Sequence, residues 1–217
     1  MYYVPGKPRE KMSTIEKIDD ALLELQEARG TVPGRWPGIK KSIDRLGLVL
    51  EKIVKFDYKD KGKKEKELAD AFMLATYEIY EGIKNVPTSW GLTYGFNNIY
   101  YALDHLSEAL EDGPIKTSIG FGSKAFRTIG VALVMRSEAR RLTNNYETDS
   151  VLNARGEHEN YAKTGDITHK RAAWFLEMSE TYYNDSVDLF SKSVKVLADV
   201  WQKEQNNTSN NSSRMRK

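Results

Sequence analysis

Ser13-Thr-Ile-Glu-Lys-Ile-Asp-Asp-Ala-Leu-Leu-Glu-Leu25 opens an amphipathic helix, and the pattern it sets recurs along most of the 217-residue chain. Ser13 offers an N-cap and Glu16, three residues on, completes a capping box. Ile15, Ile18, Leu22 and Leu25 follow at alternating spacings of three and four, one face of a 3.6-residue period. Gly30 and the turn-rich Thr31-Val-Pro-Gly-Arg-Trp-Pro-Gly38 end the segment.

The same stripe returns in Ile39, Ile43, Leu46, Leu50 and Ile53. A third helix is expected over about 64–84, on Leu68, Phe72, Ala75, Ile79 and Ile83, closed by Pro87. A loop holding Trp90, Gly91 and Gly95 is expected to lead into a fourth, on Phe96, Ile99, Leu103, Leu106 and Leu110, stopped by Gly113-Pro114. The fifth is expected from Ser123, after a flexible Gly120-Phe-Gly122, to about Leu142, with Ile129–Met135 apolar on nearly all sides and so at the centre. Residues 143–166 are polar and weakly patterned, with one short turn expected at Val151-Leu152. The last helix runs from Asp166 or Thr168 to about Gln202, with Asn184-Asp185 as a candidate bend.

No strand pattern appears. The sequence therefore predicts an all-α, antiparallel bundle of about six helices with a disordered C-terminal tail. Its divisions are a flexible arm over 1–12, one helical domain over 13–203, and a polar, basic tail over 204–217.

Composition narrows the chemistry. With no cysteine there is no disulfide, thiolate metal site or cysteine nucleophile. The first residues lack the apolar core of a secretory signal, and no run approaches the ~20 apolar residues of a membrane span, so a cytoplasmic protein without membrane contact is expected. Gly120-Phe-Gly122-Ser-Lys-Ala125 fits a loose dinucleotide fingerprint but lacks the strand that gives it meaning. Glu157-His-Glu159 with Asp166 and His169 has neither the His-x-x-x-His nor the Glu-x-x-His spacing of a helix-borne metal site, and reads as exposed loop. His105 reads as a surface histidine. No catalytic residue, metal or cofactor is assigned, and a non-enzymatic protein is expected.

Charge is divided by segment. Residues 1–66 carry 16 bases and 11 acids, 67–112 one base and eight acids, 113–145 six bases and one acid, and 146–185 four bases and eight acids. Either opposite-signed helices pack as neighbours and screen one another, or the molecule has an acidic and a basic side through which copies associate. Arg136 and Arg140 fall on the face of Ala125, Ile129 and Leu133, with Asp104, Glu108 and Glu111 as a complementary strip on the preceding helix. These arginines pair internally or, with Arg141, bind an anion; Ser123 and Lys124 at the expected helix start form a second candidate anion site. Trp90, Tyr94 and Tyr101 lie in the most acidic region, which favours protein contact over base stacking, and Trp36, apolar on a Gly-Arg-Trp-Pro-Gly turn, is a further candidate protein contact.

The function expected is a protein acting through contacts with itself or another protein, a self-associating structural or assembly component. The alternative is a nucleic-acid-binding accessory protein using the basic helix 123–142 and the lysine-rich linker 59–66.

Overall fold

The capping box sets the first helix as expected. The Glu16 amide donates to Ser13 Oγ (3.3 Å) and the Ser13 amide to Glu16 Oε2 (2.6 Å), satisfying two donors that a helix start leaves open. In the computed structural model, which describes residues 13–32, 34, 37–54, 70–72, 74–76, 78–79, 90–110, 112–144 and 153–214, this helix, α1, spans Thr14–Thr31. It is followed by α2 (Pro37–Val54), α3 (Trp90–Ala109), α4 (Pro114–Leu142), α5 (Ala154–Thr164) and α6 (Ile167–Arg214). Residues 70–72, 74–76 and 78–79 are also helical, within the expected third helix. Among the described residues there is no strand, and none of their helices is long and apolar enough to cross a membrane.

Neighbouring helices run antiparallel. Lys17 meets Glu108 while Glu27 meets Asn98, which aligns α1 against α3. Tyr100 meets Ser123 while Ser107 meets Lys116, aligning α3 against α4. Ser118 meets Ser193 while Ala132 meets Ser179, aligning α4 against α6. The centre is α4, as its apolar run implies: Ile119, Phe126, Ile129 and Leu133 are buried between α3 and α6. Phe126 stacks on Phe96 of α3 (centroids 6.2 Å apart) and meets Phe190 of α6 edge-on at 5.3 Å.

Four boundaries differ from the sequence expectation. α3 begins at Trp90, so Gly91 and Gly95 lie inside a helix; α4 begins at Pro114, its first residue, so Gly120 and Gly122 do too. Gly95 sits where α3 crosses α1: a Cβ there would lie 2.9 Å from Thr31 Oγ1 and 3.3 Å from the Ala28 carbonyl oxygen. Within 143–166, which promised one turn at Val151-Leu152, lies the eleven-residue α5; Val151 and Leu152 are outside the described residues. Asn184-Asp185 does not interrupt α6, whose helical backbone continues past 203 to Arg214, so no helix end marks the domain boundary that composition suggests. The arm 1–12 and residues 215–217 are outside the described residues.

The glycines make the first prediction. Gly95→Ala presses a methyl against a backbone oxygen that cannot move, and crowds a Thr31 hydroxyl already donating to Ala28. Overpacking of this kind costs about 1–3 kcal/mol, only partly offset by the ~1 kcal/mol that alanine gains over glycine in a helix. Gly130→Ala meets only Asn97 Oδ1, the end of a side chain free to turn away. In urea unfolding, Gly95→Ala is expected to lower stability and Gly130→Ala to leave it unchanged or raised.

Candidate functional site

The candidate anion site at Ser123 and Lys124 required a helix start with open N–H groups. Both residues lie in the third turn of α4, where those groups are engaged by the helix itself. Ser123 is buried and its hydroxyl donates to the Tyr100 carbonyl (3.4 Å), while Lys124, about 100° further round the helix, is exposed. The two do not converge on a common point.

Arg136, Arg140 and Arg141 occupy the last turns of α4, where the helix dipole favours positive charge. Arg141 is held by Glu138 (2.8 Å) on the same helix. Arg136 is exposed overall, yet the protein packed around its charged head, and secondarily the like charge of Arg140, push its pKa below the usual guanidinium range. Tyr183 and Glu180, both on α6, favour its charge. The acidic complement thus comes from α6. The strip on α3 is used differently: Glu108 pairs with Lys17 of α1 at 3.4 Å, and Glu111 is outside the described residues.

That pairing bears on the charge layout as a whole. Lys17–Glu108, Arg45–Glu78 and Lys116–Asp112 (2.8 Å) each join a basic segment to an acidic one. The first two join neighbouring helical segments of opposite sign, which screen one another there, while Lys116–Asp112 is a local pair four residues apart at the start of α4. Exposed pairs of this type contribute little stability.

Of the aromatic candidates, Tyr101 is 42% exposed on α3 and its ring lies 4.8 Å from that of Tyr100, over which Arg127 is placed at 5.5 Å. Trp90 and Tyr94 belong to α3, but their side chains, like Trp36 and the linker 59–66, are outside the described residues. His105, expected at the surface, is buried on α3.

Two features went unread in the sequence. The first is the docking of α5 on α6. His169 Nδ1 lies 2.6 Å from Glu157 Oε2, and His158 Nε2 lies 2.8 Å from Glu177 Oε1. Glu157, assigned to an exposed loop, is 8% exposed on a helix. Lys170 sits over the Tyr161 ring, and Gly165, with φ +69°, makes the left-handed turn between the helices. Each imidazole meets one carboxylate, and no group of three or more metal-ligating side chains occurs among the described residues. The arrangement is a clasp that ties α5 to α6.

The second is the outer face of α6. Trp174 is 52% exposed and Ile167, two turns earlier, 58% exposed, with the exposed Lys170 and Arg171 between them. Trp174 meets Phe175 edge-on at 5.0 Å. No protein-family model matches the chain, and no curated protein or solved structure matches it either.

Two outcomes follow. Arg136→Met, which keeps the packing stem and removes a charge that its surroundings disfavour, is expected to stay within about 1 kcal/mol of the parent in urea unfolding, since the partly desolvated charge adds little net stability. Were Arg136 part of an anion site, phosphate would raise the melting temperature of the parent and not of this variant. At the start of α6, hydrogen bonding from the Thr168 side chain, then from the Thr168 amide (2.8 Å to Asp166 Oδ1), and lastly the nearby charge of His169 hold the Asp166 carboxyl below the usual range. A depressed carboxylate gives stability that is present above the ordinary carboxyl range and lost as pH falls through its folded value. Asp166→Ala is therefore expected to lower the urea midpoint at pH 6 and to differ progressively less from the parent towards pH 3.

Proposed function

We infer that this chain is a non-enzymatic helical-bundle protein that works through protein–protein contacts, as a self-associating structural or assembly component. The observation that supports this is the pair Ile167 and Trp174, more than half exposed at a seven-residue spacing on the longest helix. Single exposed apolar residues are ordinary on protein surfaces. A tryptophan aligned with a second large apolar side chain, flanked by Lys170 and Arg171 on a rigid helix, has the composition of a contact surface, where tryptophan and arginine contribute most. A cytoplasmic setting belongs to the same reading, since a chain without cysteine has no structural need of an oxidising compartment.

A second reading, binding of nucleic acid through α4, draws on Lys124 and Arg127, both exposed on that helix. It is weakened by the commitment of Arg141 to Glu138 and by the proximity of Glu180 to Arg136. Such binding would rest on phosphate contacts and fall steeply with salt.

Light scattering across a concentration series, with and without a generic single-stranded oligonucleotide, separates the two. The expected result is a mass rising above that of the monomer with protein concentration and unaffected by the oligonucleotide. A constant monomer mass up to millimolar concentration, with a salt-sensitive shift of the oligonucleotide, would replace the first reading by the second.

A further inference from the structure

The outer face of α6 is complementary to itself when reversed. Met178 lies at its middle, half-buried. Counting outwards in both directions by four, seven and eleven residues, the spacings that keep to one face of a helix, gives Trp174 and Tyr182, then Arg171 and Asp185, then Ile167 and Leu189. Each couple is matched: aromatic with aromatic, base with acid, aliphatic with aliphatic. Trp174, Arg171, Asp185 and Ile167 are exposed, and Tyr182 and Leu189 half-buried.

The charged couple says what covers this face. Arg171 has no acid three or four residues away on either side, and Asp185 has no base at those spacings. Neither makes an ion pair with another described residue. They are about 21 Å apart along one helix, at 1.5 Å per residue, so they cannot reach each other within a chain. A second copy lying antiparallel across the same face brings Arg171 of each against Asp185 of the other.

We propose that α6 is the self-association surface: two copies pair α6 against α6, antiparallel about a two-fold axis at Met178. This deepens the self-association reading and rests on it. The symmetry is that of an isologous dimer, in which each contact occurs twice. A strip about 33 Å long and one helix (about 10 Å) wide covers roughly 300–400 Å² per copy. That is well below the ~800 Å² per partner of a standard stable interface, so the dimer is weak and concentration-dependent. The Arg171–Asp185 couples fix the antiparallel register, while Trp174 and Tyr182 supply most of the buried surface.

The test uses the full chain in sedimentation equilibrium, with circular dichroism to check each fold. Arg171→Asp replaces two attractions by two repulsions and is expected to weaken dimerisation by on the order of tenfold or more. Asp185→Arg does the same, and the double exchange R171D/D185R restores it to within about threefold, because the couple is remade with its signs reversed. The absence of cysteine gives a clean background for a second arm. Met178→Cys is expected to form a disulfide-linked dimer on mild oxidation, the two Cα atoms at a two-fold axis being within reach, whereas Lys52→Cys, exposed on α2, is not.

If the parent associates but the reversals leave the constant unchanged and Met178→Cys does not cross-link, this interface is wrong while self-association stands. If the parent remains monomeric throughout, both fall. A shift of single-stranded oligonucleotide that Trp174→Ala abolishes, without any effect of the charge reversals on mass, would assign the face to nucleic acid and overturn the proposal.

Discussion

The contact between α4 and α6 sets the register of the bundle. Two buried serines face each other across it: Ser118 Oγ donates to the Ser193 carbonyl (3.1 Å), Ser193 Oγ to the Ser118 carbonyl (2.8 Å), and the two oxygens are 2.9 Å apart. Further along, Ser179 Oγ donates to the Ala132 carbonyl at 2.7 Å. A buried hydroxyl is costly unless bonded, so sliding α6 by one turn would strand three of them. Small side chains also let the helices approach closely enough for Phe190 to reach Phe126. With α4 held this way, α3 packs on its other flank and α1 on α3, and the side of α6 turned away from α4 is left outward.

The same constraint explains which parts of the fold were legible. The first helix could be read because its information is local: a cap, a box partner three residues on, and an uninterrupted stripe. Gly95, Gly120 and Gly122 were read as breakers because a glycine carries the same local signal in a loop and at a helix crossing. What distinguishes Gly95 is the Ala28 carbonyl of another helix, 67 positions earlier in the sequence. The short α5 was missed for a related reason. It docks largely through imidazole–carboxylate pairs and so shows little apolar stripe; its marks are its ends, where Asn153 Oδ1 caps the Gly156 amide (2.8 Å) and Gly165 turns left-handed.

At the candidate sites the limit was tertiary. Helical geometry places Arg136 near the stripe of α4, but which neighbour supplies the opposing charge depends on packing. The sequence offered α3, whereas Glu180 of α6 interacts with Arg136 and Lys17 takes Glu108. Trp174 was overlooked because which side of the last helix turns inward is a tertiary matter. Only the packing of α6, which buries Ala172, Leu176, Ser179, Ser186 and Ser193, leaves the tryptophan outside. The segregation of charge along the chain was visible, and its partial resolution into Lys17–Glu108 and Arg45–Glu78 needed the helix neighbours to be known.

Those pairs give the remaining charges their meaning. Where helices pack side by side, bases and acids have met within the chain, and at the surface this contributes specificity more than stability. Along the outer strip of α6, Arg171 and Asp185 form no ion pair with a described residue and keep their opposite signs two heptads apart. Folding does not depend on them. Ile119, Phe126, Ile129 and Leu133 are buried, and the serine pins are bonded, within one chain. An interaction made on this strip is thus separable from folding. It can be weak, and tuned by concentration or salt, without exposing the core.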